Sequence, residues 1–349
     1  MNAASVRIIK GAAAVACTVL AGLAGCGRVG GKEMEVDAGG HRVHMKVVGA
    51  SGPAVVLESG LPGGIKGWEM VQREAGRFAR VVAYDRAGSG KSEGGALPRD
   101  AKQIAQELHT ALRNAGVAPP YLLVGHSMGG PYIRVFAGMY GEEVMGMVLV
   151  DPTQADWYQP MEEVKKWFAV HRPEDWPRVE AACEKMPKGL ENLHWTFGTT
   201  AKGVETFVET LPAGQQEGMR REWWELVERM ADKQIPRNLS AGAQAEFEAA
   251  TDSFKEAMGS ELPRVPIILL SAKPSPGLSE LEAQLRPNWR EFNEESKRRK
   301  QAEDQRWVDA TPGAKLVIAR GSGHGIPEED PELVVTAIRE VVAETAARR

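Results

Sequence analysis

The chain has 349 residues, 43% hydrophobic and 26% charged, with a formal net charge of -4. That length suffices for one large domain or two smaller ones with real cores, and the composition excludes a disordered or fibrous chain. The mildly acidic balance, without a long Lys and Arg stripe, argues against a nucleic-acid partner.

At the N-terminus, Arg7 and Lys10 precede the apolar stretch "GAAAVACTVLAGLAGC". It is too short and too rich in Ala and Gly for a membrane span, but suits the apolar region of a signal peptide. Its end, Leu23-Ala24-Gly25-Cys26, resembles the lipobox of bacterial lipoproteins. The resemblance implies removal of residues 1–25, lipid modification of Cys26, and an exported protein held at the cell envelope through buried acyl CH₂ groups. The remaining chain is more acidic still, so any anchor is the lipid rather than a basic surface. Of three cysteines, only Cys183 then stays a thiol, and no intramolecular disulfide is expected. Its place in "VEAACEKM" suits a small buried residue on a helix.

Residues 26–32 read as a tether. "MEVDAGGHRVHMKVVG" then reads as two strands around Gly39-Gly40. Apolar runs follow at 54–59, 81–85, 121–125 and 147–151, mostly with helical patterns between them, and two more strands are expected at 265–272 and 314–321. Apolar strands alternating with amphipathic helices predict an α/β fold, a mostly parallel sheet covered on both faces. In one such helix Asp100 is the expected cap and Ala101, Ile104, Ala105, Leu108 and Leu112 form the inner face. Asp330-Pro331 opens a closing helix with Val334, Ile338, Val341 and Val342 inward.

From 153 to 262 the strand rhythm gives way to helical patterns, which predicts an inserted helical cap between core segments 33–152 and 263–349. Six of the nine tryptophans fall there: Trp157, Trp167, Trp176, Trp195, Trp223 and Trp224. They are expected chiefly to fill a small helical core, the sharper reading being that some line an apolar substrate cleft. The densest basic run, Lys297-Arg298-Arg299-Lys300, is flanked by Glu294, Glu295, Glu303 and Asp304 and reads as a solvated helix face.

"LLVGHSMGG" sets Gly125-x-Ser127-x-Gly129 between a strand and a helix. Such a strained turn lifts a serine Oγ above the sheet edge, and the free N–H groups at the helix start, especially that of Met128, face any oxyanion formed there. Together with "VVAYDRAGSGKS" and "GSGHGIP", this segment resembles the α/β-hydrolase fold family, in particular its capped esterase-type and peptidase-type members. The likeness covers roughly residues 42 to 152 and 263 to 345. It implies Ser127 as nucleophile and His324, before the last helix, as base. It also implies a second oxyanion donor from the loop Glu58 to Gly64, for which the Leu61 N–H is the best match. Ser59 stands where many relatives have histidine.

A serine needs a base and the base an orienting acid. After the seventh strand the family usually carries an aspartate, but "ILLSAKPSPGLSELEAQ" has none, and its first carboxylates are Glu280 and Glu282. Asp151, one strand earlier, is the preferred acid, with Glu280, Glu282 and Asp156 as alternatives. His126 is expected to pack beneath the turn. "AGSGKS" mimics a phosphate loop, but position 85 is aspartate where the first glycine is required. Asp85 and Arg86 are instead expected to tie that loop down. No metal or redox motif is recognised, so cofactor-free hydrolysis of a small acyl substrate, an ester first, is expected; a non-catalytic binding protein is the rival. The oligomeric state is not legible.

Overall fold

Apolar residues alternate between the two faces of one sheet, and each face is covered by helices. The computed structural model describes residues 31–153, 161–184, 203–233, 239–272 and 287–348. The eight strands are β1 Gly31–Asp37, β2 Arg42–Val48, β3 Ala54–Glu58, β4 Arg80–Tyr84, β5 Tyr121–His126, β6 Val144–Val150, β7 Ile267–Ala272 and β8 Ala314–Ala319. Their order across the sheet is β1-β2-β4-β3-β5-β6-β7-β8. Only β2 runs against its neighbours β1 and β4; the other pairs are parallel.

On one face, Val55, Leu57, Leu122, Val124, Val148 and Ile268 pack against Trp68, against Val71 of helix α1 (Glu69–Ala75), and against Val334, Ile338 and Val341 of the closing helix Pro331–Arg348. On the other, Val56, Leu123, Met147, Leu149 and Leu269 meet Ile104 and Leu108 of α2 (Ala101–Asn114) and Ile133 and Phe136 of α3 (Gly129–Met139). The period-two division follows from the pleat, and each such side chain contributes about 1.5–3 kcal/mol on full burial. The Asp100 carboxylate accepts from Gln103 N at 2.8 Å, capping α2 as its sequence predicts.

Two boundaries differ from those expected. Gly31 and Lys32, assigned to the tether, pair with Val48 and Val47 in the antiparallel ladder, because β2 offers them unpaired backbone groups. The helix Ala250–Gly259, assigned to the cap, packs into the main core through Ala250, Phe254 and Ala257. The helix packs mainly against α2 and α3, and Phe254 joins the core those helices share with the sheet.

Helical residues between Val164 and Trp224 of the insertion form a core of their own. Trp223 and Trp224 are buried there with Val164, Phe168 and Met219, and Trp167 and Trp176 pack against them. These four therefore fill a helical core, the plainer of the two expectations. Trp157 and Trp195 lie outside the described residues, as do Cys26, Asp156, Glu280 and Glu282, and nothing is described of the Cys183 side chain.

Candidate active site

The chain leaves β3 for β4 on one side and later enters β5 on the other, so the strand ends of β3 and β5 flank a switch point of the sheet. Crevices beyond the carboxyl ends of parallel strands at such points are the usual ligand sites of open α/β sheets. Here the crevice is a cleft of about 440 Å³ whose lining includes Gly60, Leu61, Trp68, His126, Ser127 and His324.

Ser127 sits at φ +53°, between β5 and α3, in the left-handed region that non-glycine residues seldom adopt. Its N–H donates to Val150 O at 3.2 Å, and its carbonyl accepts from Gly130 N and Thr153 N at 2.9 and 3.0 Å. The turn is therefore fixed from both sides. Close packing also requires glycine at 129, where a Cβ would stand 2.3 Å from Glu58 O. The Met128 side chain is buried in the core beside the start of α3. Leu61 borders the cleft on the facing loop.

His324 lies in the loop between β8 and the short helix Ile326–Glu329. Its Nδ1–H donates to Asp151 Oδ2 at 2.7 Å. The carboxylate can only accept, so in the neutral ring Nε2 keeps its lone pair. Two further bonds hold this loop: Gly323 N donates to Glu329 Oε2 at 2.7 Å, and His126 Nε2–H donates to the His324 carbonyl at 2.7 Å.

Asp151 follows the last residue of β6 at φ +39° and is buried. Its Oδ1 accepts from Ala272 N at 2.9 Å and forms an ion pair with Lys300 Nζ at 2.9 Å, which leaves Oδ2 to His324. Burial pushes the Asp151 carboxyl up, but the His324 hydrogen bond, the Lys300 charge and hydrogen bond, and the Ala272 N–H outweigh it and hold the group below its ordinary value. Asp151 is thus ionised at neutral pH.

His126 departs from expectation. It is half-buried and lines the cleft, with its ring 4.8 Å from that of His324 and edge-on to Trp68 at 6.3 Å. Burial, reinforced by the nearby His324, pushes it down to about 4. It faces the cleft because its Nε2–H finds the His324 carbonyl there. Ser59, where histidine stands in many relatives, accepts from Trp68 Nε1 at 2.9 Å and donates to Gly64 O at 3.0 Å, an internal brace of the loop.

Asp85 and Arg86 do tie their loop down. Asp85 accepts from Ile65 N at 3.0 Å and Lys91 N at 3.1 Å. Arg86 is buried between Glu58 and Glu246, with pairs of 2.7 and 2.8 Å, and donates to the carbonyls of Ser59 and Gly60 at 2.6 and 2.9 Å. Burial works against the Arg86 charge, but Glu246 and Glu58 outweigh it. With those two carbonyls directed at the guanidinium, the loop that borders the cleft has a set orientation.

Lys300 departs from the solvated face expected of its basic run: Arg298 is exposed, but Lys300 turns inward to Asp151 and Asp304. The one available signal was its spacing of four from Asp304, which pointed to a helical pair and not to Asp151.

The strand order, the parallel sheet covered on both faces and the Ser127 turn together define the α/β-hydrolase fold. Residues 53–183 match the family model for that fold. A Bacillus subtilis relative, the uncharacterized protein YqjL, is 36% identical over 116 residues, covering 33% of this chain and 45% of its own length. Among solved structures, the epoxide hydrolase CorEH superposes with a TM-score of 0.52 at 17% identity, covering 90% of this chain and 99% of the other. A thermophilic esterase from Thermogutta terrifontis gives 0.50 at 18%, again covering 90% and 99%. At these identities the likeness is one of fold. The chain spans less than half the length of the curated relatives it matches.

Proposed function

We propose that the protein is a serine hydrolase that cleaves a carboxylic ester or related acyl compound through an acyl-enzyme. The observation that carries this reading is that His324, whose Nδ1–H is bonded to the ionised Asp151 carboxylate, lines the same cleft as Ser127 at the carboxyl edge of the sheet.

In this reading Ser127 Oγ attacks the acyl carbonyl while His324 Nε2 takes its proton. The imidazolium so formed is stabilised by Asp151 and returns the proton to the leaving alkoxide. The tetrahedral oxyanion lies against the N–H groups of Met128 and Leu61, each donor of this kind contributing about 10²- to 10³-fold in rate. Water then attacks the acyl-enzyme, its proton passing to His324 and back to Ser127. Epoxide hydrolases and dehalogenases of this fold are disfavoured because, by resemblance, their elbow carries aspartate where this chain has Ser127. The lipobox-like Leu23-Ala24-Gly25-Cys26 supports the further proposal that a lipid on Cys26 holds the enzyme at the cell envelope.

Intact-mass analysis after treatment with a fluorophosphonate, beside Ser127→Ala, tests the reading. A single adduct on the parent and none on the variant is expected, after which matched ester, thioester and amide panels rank the leaving group. A folded parent that takes no adduct overturns the assignment and leaves the non-catalytic binding protein.

A further inference from the structure

We infer that Lys300 is a positioning residue that clamps Asp151 and sets the lower pH limit of the site's activity; this rests on the serine-hydrolase reading above. Lys300 projects from the long helix Pro287–Ala310, far along the chain from Ser127 and Asp151. Its Nζ lies 2.9 Å from Asp151 Oδ1 and 2.8 Å from Asp304 Oδ2, and it donates to Ser271 Oγ at 3.0 Å. Ser271 in turn donates to Asp304 Oδ2. Asp304 and Ser271 are fully buried, and the Lys300 side chain is only 17% exposed. The ammonium is therefore held by three oxygens at a fixed place behind the acid.

Two consequences follow from that place. First, Lys300 and the Ala272 N–H together take up Oδ1, so Asp151 cannot rotate without breaking both bonds, and Oδ2 stays aimed at His324. Second, the ammonium offsets part of the Asp151 charge. An imidazolium beside a partly offset carboxylate is less stabilised than one beside a bare carboxylate. Lys300 thus favours the neutral, proton-accepting ring and keeps the site working at lower pH. The other groups facing His324 are His126 on the elbow, Glu329, which binds its loop at Gly323 N, and Glu328 at the cleft rim. None of these touches Asp151 Oδ1 among the described residues. Burial opposes the charge on Lys300, but Asp151 and Asp304 outweigh it and keep the group protonated.

The test is the pH dependence of fluorophosphonate labelling rate and of ester kcat/KM for the parent, Lys300→Met, Lys300→Arg and the double variant Lys300→Met/Asp304→Asn. The double variant removes the buried carboxylate that Lys300→Met would strand, so it keeps the test open if the single variant does not fold. The acid limb is expected to move up by roughly one pH unit or more in Lys300→Met, because the positive charge behind the Asp151 carboxylate is lost. It should move the same way, by less, in the double variant, and return toward the parent in Lys300→Arg. Acid limbs that coincide in the parent and the folded methionine variants overturn the inference. A parent that does not label at all instead overturns the serine-hydrolase reading on which it rests.

Discussion

The Nδ1–H of His324 donates to Asp151 Oδ2 at 2.7 Å across 173 residues of chain. β7 lies between the two strands that carry them, and Asp151 reaches over it while its Oδ1 accepts from Ala272 N at the end of β7. Asp151 is thereby fixed to the end of β7 with its other oxygen on His324, the arrangement that the proposed proton-accepting imidazole requires.

Replacing Asp151 with Asn should preserve the shape and reverse the bond's logic, since an amide nitrogen facing His324 favours the wrong tautomer. The labelling rate and kcat are expected to fall about 10⁴-fold, as for other triads of this kind. A near-normal rate, with a melting temperature like the parent's, would remove Asp151 from its role.

Gly60 stands against Ser127: a Cβ there would lie 2.7 Å from Ser127 Cβ. In Gly60→Ala either the elbow or the facing loop must shift, and a misplacement of about 1 Å costs about 10²-fold. Expected is a drop in kcat of that order with little change in the urea midpoint, because the clash lies at the open cleft rather than in either core.

His126 gives a pH dependence of stability. It is pushed down to about 4 in the fold, against about 6.5 in the unfolded chain, so the unfolded state binds more protons between these values. The contribution is present in full above about 6.5 and is lost as the pH falls toward 4. Urea midpoints measured at pH 7 and pH 5 should differ less in His126→Gln than in the parent. An unchanged difference would contradict the neutral, half-buried ring.

Glu246, on the helix Ala241–Glu248, anchors Arg86 by two bonds of 2.8 and 2.9 Å. Glu246→Ala strands part of a buried guanidinium and should cost about 3 kcal/mol by urea unfolding. Because Arg86 also holds the carbonyls of Ser59 and Gly60, kcat should fall with stability. A stability loss with unchanged kcat would show that the loop is held by the Ser59 and Trp68 brace alone.

Much of this molecule is written locally. The strands announced themselves because a sheet buried on both faces needs continuous apolar runs, and β3 to β8 lie close to the segments those runs predict. The elbow was legible because only small residues tolerate its backbone, and Ser127 indeed takes a positive φ. The carboxylate that partners His324 could not be read the same way. Asp151, Asp156, Glu280 and Glu282 all follow strands, and only strand order and register carry Asp151 to His324; the other three lie outside the described residues. Phe254 and Lys300 make the same point from opposite sides. A helical pattern in the insertion does not say which core will receive its aromatic residue, and a basic run on a helix does not say which of its charges will meet a buried carboxylate. Local sequence determines backbone conformation through steric and periodic rules a few residues long. Partners between distant segments are decided by packing, because burying a charge is tolerable only where the whole fold supplies its counter-charge.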